Sequence, residues 1–160
     1  MLANYWGWGE RRVYHHTAPV SLILALREGL RLVLEEGLDN RFKRHARNAA
    51  ALTAGLKALG LELVVPDEHR LSQITLVWIP DGIEDAEVRG RLLRGHVIEI
   101  GAGLGDFAGR VWRIGLMGES SKKGNVITLL SALEKILPEM GYEIAVGSGV
   151  KAAEDALALS

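Results

Sequence analysis

The chain of 160 residues lacks cysteine, which excludes a disulfide framework and a thiolate zinc site. An excess of basic charge is also missing, since 19 Lys and Arg residues stand against 20 Asp and Glu residues for a net charge of −1. A nucleic-acid interface would need a strongly basic face, so no nucleic-acid partner is expected. No apolar run approaches the roughly 20 residues that span a bilayer, and no basic segment leads into an apolar one as in a signal peptide. These absences predict a soluble, cytoplasmic protein without a membrane partner.

Histidine is present but poorly spaced for metal binding. The five histidines are His15, His16, His45, His69 and His96. Only the first two are adjacent, and adjacent side chains of an extended segment point apart. No His-x-x-x-His pair occurs, so no metal site is predicted. The basic stretch "RFKRHAR" around His45 is expected to be a solvated helix face.

Apolar residues are abundant. They make up 48% of the chain, and the mean hydropathy is +0.12 although 24% of the residues are charged. The length fits one domain, or one domain and a fragment of another. We therefore expect part of the apolar surface to be buried against another chain or domain.

Two helices are predicted in the first third of the chain. Residues 1–17 show no clear period and form an irregular arm rich in aromatic residues. A first helix should begin with Thr17 as its N-cap and end near Glu36, before Gly37. It is apolar on more than one side, which is typical of a helix covered on both sides. A second helix should run from about Asp39 to Leu59, with an apolar stripe on Phe42, Ala46, Ala49, Leu52, Leu56 and Leu59.

The rest of the chain alternates between short strands and helices. Strands are predicted at "LELVV", "LSQITLVWIP", "HVIEI", "RVWRIGLM" and, less clearly marked, "YEIAV". Helices are predicted over 84–94 and over "SSKKGNVITLLSALEKILPEM", the latter capped by Ser120 or Ser121, and the alanine-rich end is expected to be a frayed helix. The order is not the strict alternation of a parallel doubly wound sheet. It predicts an α+β fold with a small, mostly antiparallel sheet and helices on one face.

The glycine loop "GAGLGDFAG" partly fits the fingerprint of a dinucleotide-binding loop. That fingerprint works only where the loop opens a helix, whose N-terminus holds the pyrophosphate. Here "RVWRIGLM" follows, which is predicted to be a strand. A turn between two strands, with glycines adopting positive φ, is therefore the favoured interpretation.

Arg113 is a candidate binding residue because it lies inside a predicted strand between Trp112 and Ile114. Burying a guanidinium is costly unless an anion pairs with it. Its planar fork suits a carboxylate, which accepts two parallel hydrogen bonds. The carboxylate can be that of a substrate or that of Glu99, and the residues by themselves favour neither.

Three segments together resemble one protein family. "YHHTAPV", "ALREGLRLVLEEGLDNRFKRH" and "EIGAGLGDFAGRVWRIGLMG" follow one another as in the alanine–glyoxylate and serine–glyoxylate (serine–pyruvate) branch of the class V pyridoxal-phosphate aminotransferases. The resemblance covers residues 2 to about 140. It implies the C-terminal small domain of a fold-type I aminotransferase (residues 37–145), preceded by an arm and helix left from the large domain (1–36) and followed by a tail (146–160).

The resemblance also implies roles for three residues. Tyr14 and Thr17 would contact the phosphate of pyridoxal 5′-phosphate bound in the neighbouring subunit of a homodimer. Arg113 would bind the substrate carboxylate. Hydroxyl groups near a helix start suit a phosphate.

The resemblance does not extend to a Schiff-base lysine. In the family this lysine lies upstream of the matching region, and none of the six lysines here has a similar context. We therefore assign no catalytic residue, and expect the chain by itself to bind no cofactor and to be inactive. The implied function is the C-terminal part of an enzyme that transfers an amino group from alanine or serine to glyoxylate or pyruvate, active only with the missing N-terminal half. The alternative is a non-catalytic module for dimerisation or partner binding through the exposed apolar helix.

Overall fold

The computed structural model describes residues 17–159. The chain divides into two compact units, of which the first ends at Leu38 and the second begins at Asp39. No helix among the described residues is both long and apolar enough to cross a membrane.

The first unit contains helix α1 (Val20–Glu36). Its end agrees with the prediction, because Gly37 has a φ of 78° and its N–H donates to the Val33 carbonyl. The predicted cap is wrong: Pro19 occupies the N-cap position and no side chain caps the helix there. The carbonyl of Pro19 instead accepts from the Ile23 N–H. The N-cap therefore lies two residues after Thr17, at a proline whose ring fixes φ.

The second unit is an α+β fold, as predicted. Its helices and strands are α2 (Leu38–Ala58), which starts at the boundary, β1 (Ile74–Trp78), α3 (Asp85–His96), β2 (Gly101–Ala102), β3 (Val111–Gly115), α4 (Lys123–Glu139) and α5 (Ser148–Ala158). Short 3-10 turns occupy Asp67–His69, Gly105–Phe107 and Gly118–Ser120.

The sheet is antiparallel with the strand order β1-β3-β2. Alternate residues such as Val77, Trp112 and Ile114 are buried and join the apolar core formed with the helices. Of the intervening residues, Leu76, Trp78 and Arg113 are only partly buried, whereas Val111 at the start of β3 is fully buried. We call the side that carries Leu76, Trp78 and Arg113 the outer face. The sheet therefore has one face on the core and one that is not fully covered.

Three predicted strands are wrong. In "LELVV" only Leu63 forms a single bridge, to Val77. In "HVIEI" the backbone of Val97 is left-handed, with φ 56°, and caps α3 by donating to the Leu93 carbonyl at 3.1 Å. Because of that turn, pairing between this segment and β3 begins only at Gly101. The segment "YEIAV" forms no strand, and the Tyr142 hydroxyl donates to the Gly60 carbonyl at 2.9 Å.

The first half of α2 presents a different face from the predicted one. Phe42 is 61% exposed, whereas His45 and Asn48 are buried. The "RFKRHAR" stretch is only partly a solvated face: Lys43 and Arg47 are exposed, but Arg44 Nη1 donates to the carbonyls of Gly118 and Ser121 at 3.0 and 2.7 Å. Polar tertiary contacts thus override the apolar stripe here.

The ends of α4 and α5 also differ from the predictions. Lys122, and neither Ser120 nor Ser121, is at the N-cap position of α4. Ser121 is fully buried, and its carbonyl accepts from Asn48 Nδ2 at 2.9 Å. The alanine-rich end is not frayed, since α5 buries Ala153 and Leu157 in the core.

Candidate substrate-carboxylate site

Arg113 lies on the outer face because β3 alternates. Trp112 and Ile114, on either side of it, are 0% and 2% exposed, so the side chain between them must point away from the core. Trp112 is fixed further by its indole Nε1, which donates to Asp85 Oδ1 at 3.1 Å. The strand therefore holds the arginine on the partly open side of the sheet.

The guanidinium of Arg113 is anchored through one of its nitrogens. Nε donates to the Ala102 carbonyl on β2 at 2.7 Å. The alternative partner is excluded: Glu99 is exposed, and within 17–159 Arg113 forms no ion pair with it or with any other acid. The two Nη groups consequently have no protein acceptor among the described residues. A half-buried cation with two free parallel donors is suited to an incoming carboxylate.

Apolar side chains share the outer face with Arg113. Leu76 is opposite Arg113 in the β1–β3 register, and Trp78 is opposite Val111. The Trp78 ring lies 5.8 Å from that of Phe107, centroid to centroid, and Arg110 Cζ lies 5.2 Å from the Trp78 ring centroid. Sequence reasoning assigned Leu76 and Trp78 only to a strand. The register of the sheet is what places Leu76 opposite Arg113 and Trp78 on the same face.

The glycine loop joins β2 to β3 through the 3-10 turn Gly105–Phe107. It leads into a strand, so the turn interpretation is confirmed and the dinucleotide-binding one is wrong. Gly105 and Gly109 have φ values of 56° and 69°. A Cβ at Gly103 would collide with the Phe107 carbonyl. These three glycines are required by the backbone of the turn.

The two residues expected to contact a phosphate, Tyr14 and Thr17, lie before Asp39, where the second unit begins. Tyr14 lies outside the described residues. Thr17 is described and exposed, and belongs to the first unit, whereas Arg113 belongs to the second. The phosphate-binding roles of Tyr14 and Thr17 therefore stay predictions.

The lysines do not fit the role of a cofactor-holding amine. All six side chains, at Lys43, Lys57, Lys122, Lys123, Lys135 and Lys151, are exposed. Lys57, Lys122 and Lys151 form surface ion pairs with acids. An amine that forms a Schiff base at neutral pH needs a desolvated pocket or a neighbouring cation. None of the six lysines therefore has the surroundings that a Schiff-base amine needs.

His45, the one histidine that is buried within residues 17–159, is a structural residue. His45 Nε2 accepts from the Gly118 N–H at 3.1 Å, which leaves Nδ1–H to donate to the Arg41 carbonyl at 2.8 Å. Both ring nitrogens are therefore used. Within residues 17–159 no group of three His, Cys, Asp or Glu side chains is arranged to hold a metal ion.

Comparisons with known proteins point to glyoxylate-using aminotransferases. The chain is 47% identical over 148 residues to the (S)-ureidoglycine–glyoxylate transaminase of Bacillus subtilis strain 168, which covers 92% of this chain and 36% of the relative. It is 44% identical over 138 residues to the alanine–glyoxylate aminotransferase of Callithrix jacchus, 85% of this chain and 33% of that one. No protein-family model matches. The chain thus spans about a third of the length of these relatives.

Solved structures agree with the sequence relatives. The ureidoglycine–glyoxylate aminotransferase of Bacillus subtilis superposes with a TM-score of 0.87 at 46% identity, covering 97% of this chain and 40% of that one. The pyridoxamine–pyruvate aminotransferase of Mesorhizobium loti gives 0.86 at 30% identity, covering 95% and 39%. The fold is that of the C-terminal part of fold-type I aminotransferases.

Proposed function

We propose that this chain, which belongs to the class V aminotransferase family and matches its C-terminal part, supplies the substrate-carboxylate site of an enzyme that moves an amino group from alanine or serine to glyoxylate or pyruvate. The observation that carries the proposal is the hydrogen bonding of the Arg113 guanidinium. Its Nε is bound to the Ala102 carbonyl, and its two Nη groups have no acceptor within 17–159.

Carboxylate binding by Arg113 suits all four proposed reactants, because each carries a carboxylate beside its amino or keto carbon. The two Nη groups would donate to the two carboxylate oxygens in parallel. Hydrogen bonds to charged groups contribute about 1.5–3 kcal/mol, or roughly ten- to a hundredfold in binding. The bound carboxylate orients the reacting carbon, which is the contribution of the protein to a reaction whose chemistry a cofactor carries.

The cofactor itself would be held mostly by residues outside this chain. The family uses pyridoxal phosphate, which supplies an electron sink when bound. We propose that the Tyr14 and Thr17 hydroxyls donate to the phosphate of the cofactor in a neighbouring subunit. A lysine from another polypeptide segment must supply the amine, since the six lysines here are exposed. By itself the chain is therefore proposed to be inactive.

The test is a chimera in which this chain replaces the matching C-terminal third of a full-length transaminase relative. We expect the chimera to bind the cofactor, seen as visible absorbance, and to turn over alanine and glyoxylate. Arg113→Gln should raise KM for both reactants ten- to a hundredfold, and Arg113→Lys by less, because an ammonium group lacks the planar fork. Arg94→Gln, at an exposed arginine of α3, serves as the control. A chimera that binds cofactor but is indifferent to Arg113→Gln would refute the proposal.

A second candidate function is association through α1, supported by the exposure of its apolar side chains. None of its residues is buried, and several large apolar ones are more than half exposed, namely Val20, Leu22, Ile23, Leu24, Leu26, Leu30 and Leu34. A patch of this kind usually marks an association surface. Light scattering should show self-association that Leu26→Glu reduces and that Glu35→Gln, on the charged side, does not. A chain that stays monomeric at high concentration would rule this function out.

A further inference from the structure

The glycines around β2 occur there for different structural reasons. Gly103, Gly105 and Gly109 are required by the turn, through a close backbone approach or a positive φ. Gly101 is different, because it is not among the glycines of positive φ, so its backbone is open to any residue. A glycine within a strand weakens it, and often marks a place where another group approaches closely.

The group that approaches Gly101 is the guanidinium of Arg113. The two residues are direct partners in the β2–β3 register. A Cβ built on Gly101 would lie 3.2 Å from Arg113 Nη2 and 3.5 Å from its Cζ. The three atoms nearest to such a Cβ all belong to the Arg113 side chain, the third being its Cβ at 3.5 Å. The space left by the missing side chain is thus used by the arginine.

We propose that Gly101 is a positioning residue for Arg113: its bare Cα lets the guanidinium lie flat across β2, so that Nε reaches the Ala102 carbonyl and both Nη groups point to the substrate. This proposal rests on the proposed function, in which Arg113 binds the substrate carboxylate. A side chain at 101 moves Nη2 by a few tenths of an ångström and strains the 2.7 Å bond from Nε to Ala102. The two Nη groups of Arg113 are then displaced from the positions at which they would donate to the substrate carboxylate.

The displacement of the Arg113 guanidinium should raise KM by an amount that grows with the size of the side chain at position 101. Misplacing a reacting group by 1 Å can cost about a hundredfold, so Gly101→Ala, which requires a smaller shift, should raise KM for the carboxylate reactants about fivefold. Gly101→Val adds two methyl groups on the outer face and should raise it more than about tenfold. Neither substitution is unfavourable for a strand, where valine is preferred over glycine.

Gly115 provides a matched control. It lies in β3 two residues after Arg113, on the same side of the sheet, and pairs with Ile74. A Cβ there would meet only Met117 Cε, at 3.3 Å, the end of a flexible and 58% exposed side chain. Gly115→Ala and Gly115→Val therefore make the same chemical change without touching the guanidinium.

The experiment compares these four variants and Arg113→Gln in the cofactor-loaded chimera. The readouts are KM and kcat for both reactants, the competitive inhibition constant of propionate, and the thermal midpoint. Propionate is a carboxylate without an amino or keto group, so it reports on the carboxylate site alone. We expect KM and the propionate constant to rise together through Gly101→Ala and Gly101→Val, with the midpoint changed little.

The outcomes separate the two proposals. If Arg113→Gln raises both constants but the Gly101 variants match the Gly115 variants, the positioning role is refuted and the proposed function stands. If Arg113→Gln changes neither constant, the proposed function fails, and the role of Gly101 with it. If Gly101→Val lowers kcat and the midpoint while the propionate constant is unchanged, Gly101 serves the fold and not the arginine. Should Gly101→Val not fold, Gly101→Ala decides in the same way.

Discussion

Glu134 of α4 caps α5: its Oε1 accepts hydrogen bonds from the Gly149 and Val150 N–H groups at 2.8 and 3.1 Å. Glu134 is only 8% exposed. α5 has no side-chain cap of its own at Gly147. The first turn of a helix carries N–H groups without internal partners and a partial positive charge, so a carboxylate there is favourable. One side chain thus ties the last helix to the core.

Loss of this cap should destabilise the fold. We expect Glu134→Ala to lower the free energy of unfolding by about 2 kcal/mol, because two N–H groups, one of them buried, lose their acceptor. Glu134→Gln keeps an acceptor and should cost less. Urea unfolding of the chain measures both, and Glu154→Ala, at an exposed position of α5, is the control. Equal effects of Glu134→Ala and Glu154→Ala would contradict the capping role.

Gly55 allows the close packing of α2 against α4 and α5. A Cβ there would overlap with Leu130 and lie 2.9 Å from the Gly149 carbonyl oxygen. We expect Gly55→Ala to destabilise the chain by about 3 kcal/mol through overpacking. The same change at Gly95, in α3, meets nothing within 4 Å and should be neutral or stabilise by up to about 1 kcal/mol. Denaturation midpoints that shift alike would show that the space at Gly55 is not needed.

Val97 has an unfavourable backbone conformation. It is the only residue other than glycine with positive φ in the described part of the chain, and it is 88% exposed. A β-branched residue is poorly suited to this position after a helix, where glycine is usual. We expect Val97→Gly to raise the free energy of unfolding by about 1 kcal/mol. Thermal unfolding would show the gain, and a loss of stability would mean that the Val97 side chain has a contact worth more than the strain.

Glu87 makes a pH-dependent contribution. Arg91 Nε donates to its Oε1 at 2.8 Å, and this hydrogen bond holds the pKa of the Glu87 carboxyl below its ordinary value. Folding therefore favours the ionised form, and the contribution is complete above the unfolded pKa and lost as the pH falls through the folded one. Glu87→Gln should be less stable than the parent at pH 7 and equal to it in acid, once the pH lies below the lowered pKa of the folded state. A difference that stays constant across urea titrations at several pH values would contradict this.

Local sequence signals were sufficient for several elements. The segment "RVWRIGLM" was predicted to be a strand with Arg113 between Trp112 and Ile114, and β3 confirms the strand. The apolar period and Gly37 gave the existence of α1 and its end at Glu36. The α+β class followed from the order of elements. These features depend on neighbours within a few residues, which the sequence displays directly.

Features set by distant contacts were missed. The polar face of α2 depends on carbonyls at Gly118 and Ser121, more than 70 positions away. "HVIEI" reads as a strand, but Val97 turns the chain and leaves β2 only two residues long. Such pairing is fixed by packing, which no local pattern records.

By itself, therefore, the sequence determined the helices, two of the strands, the family resemblance and the lack of a lysine in a family-like context, because these lie in residue identity and period. Only the tertiary structure decided the partner of Arg113. The antiparallel register sets it over Gly101, with Nε on the Ala102 carbonyl and no bond to Glu99. The physical reason is that a cross-strand contact depends on which residues face each other across the sheet, and register is a property of the assembled strands.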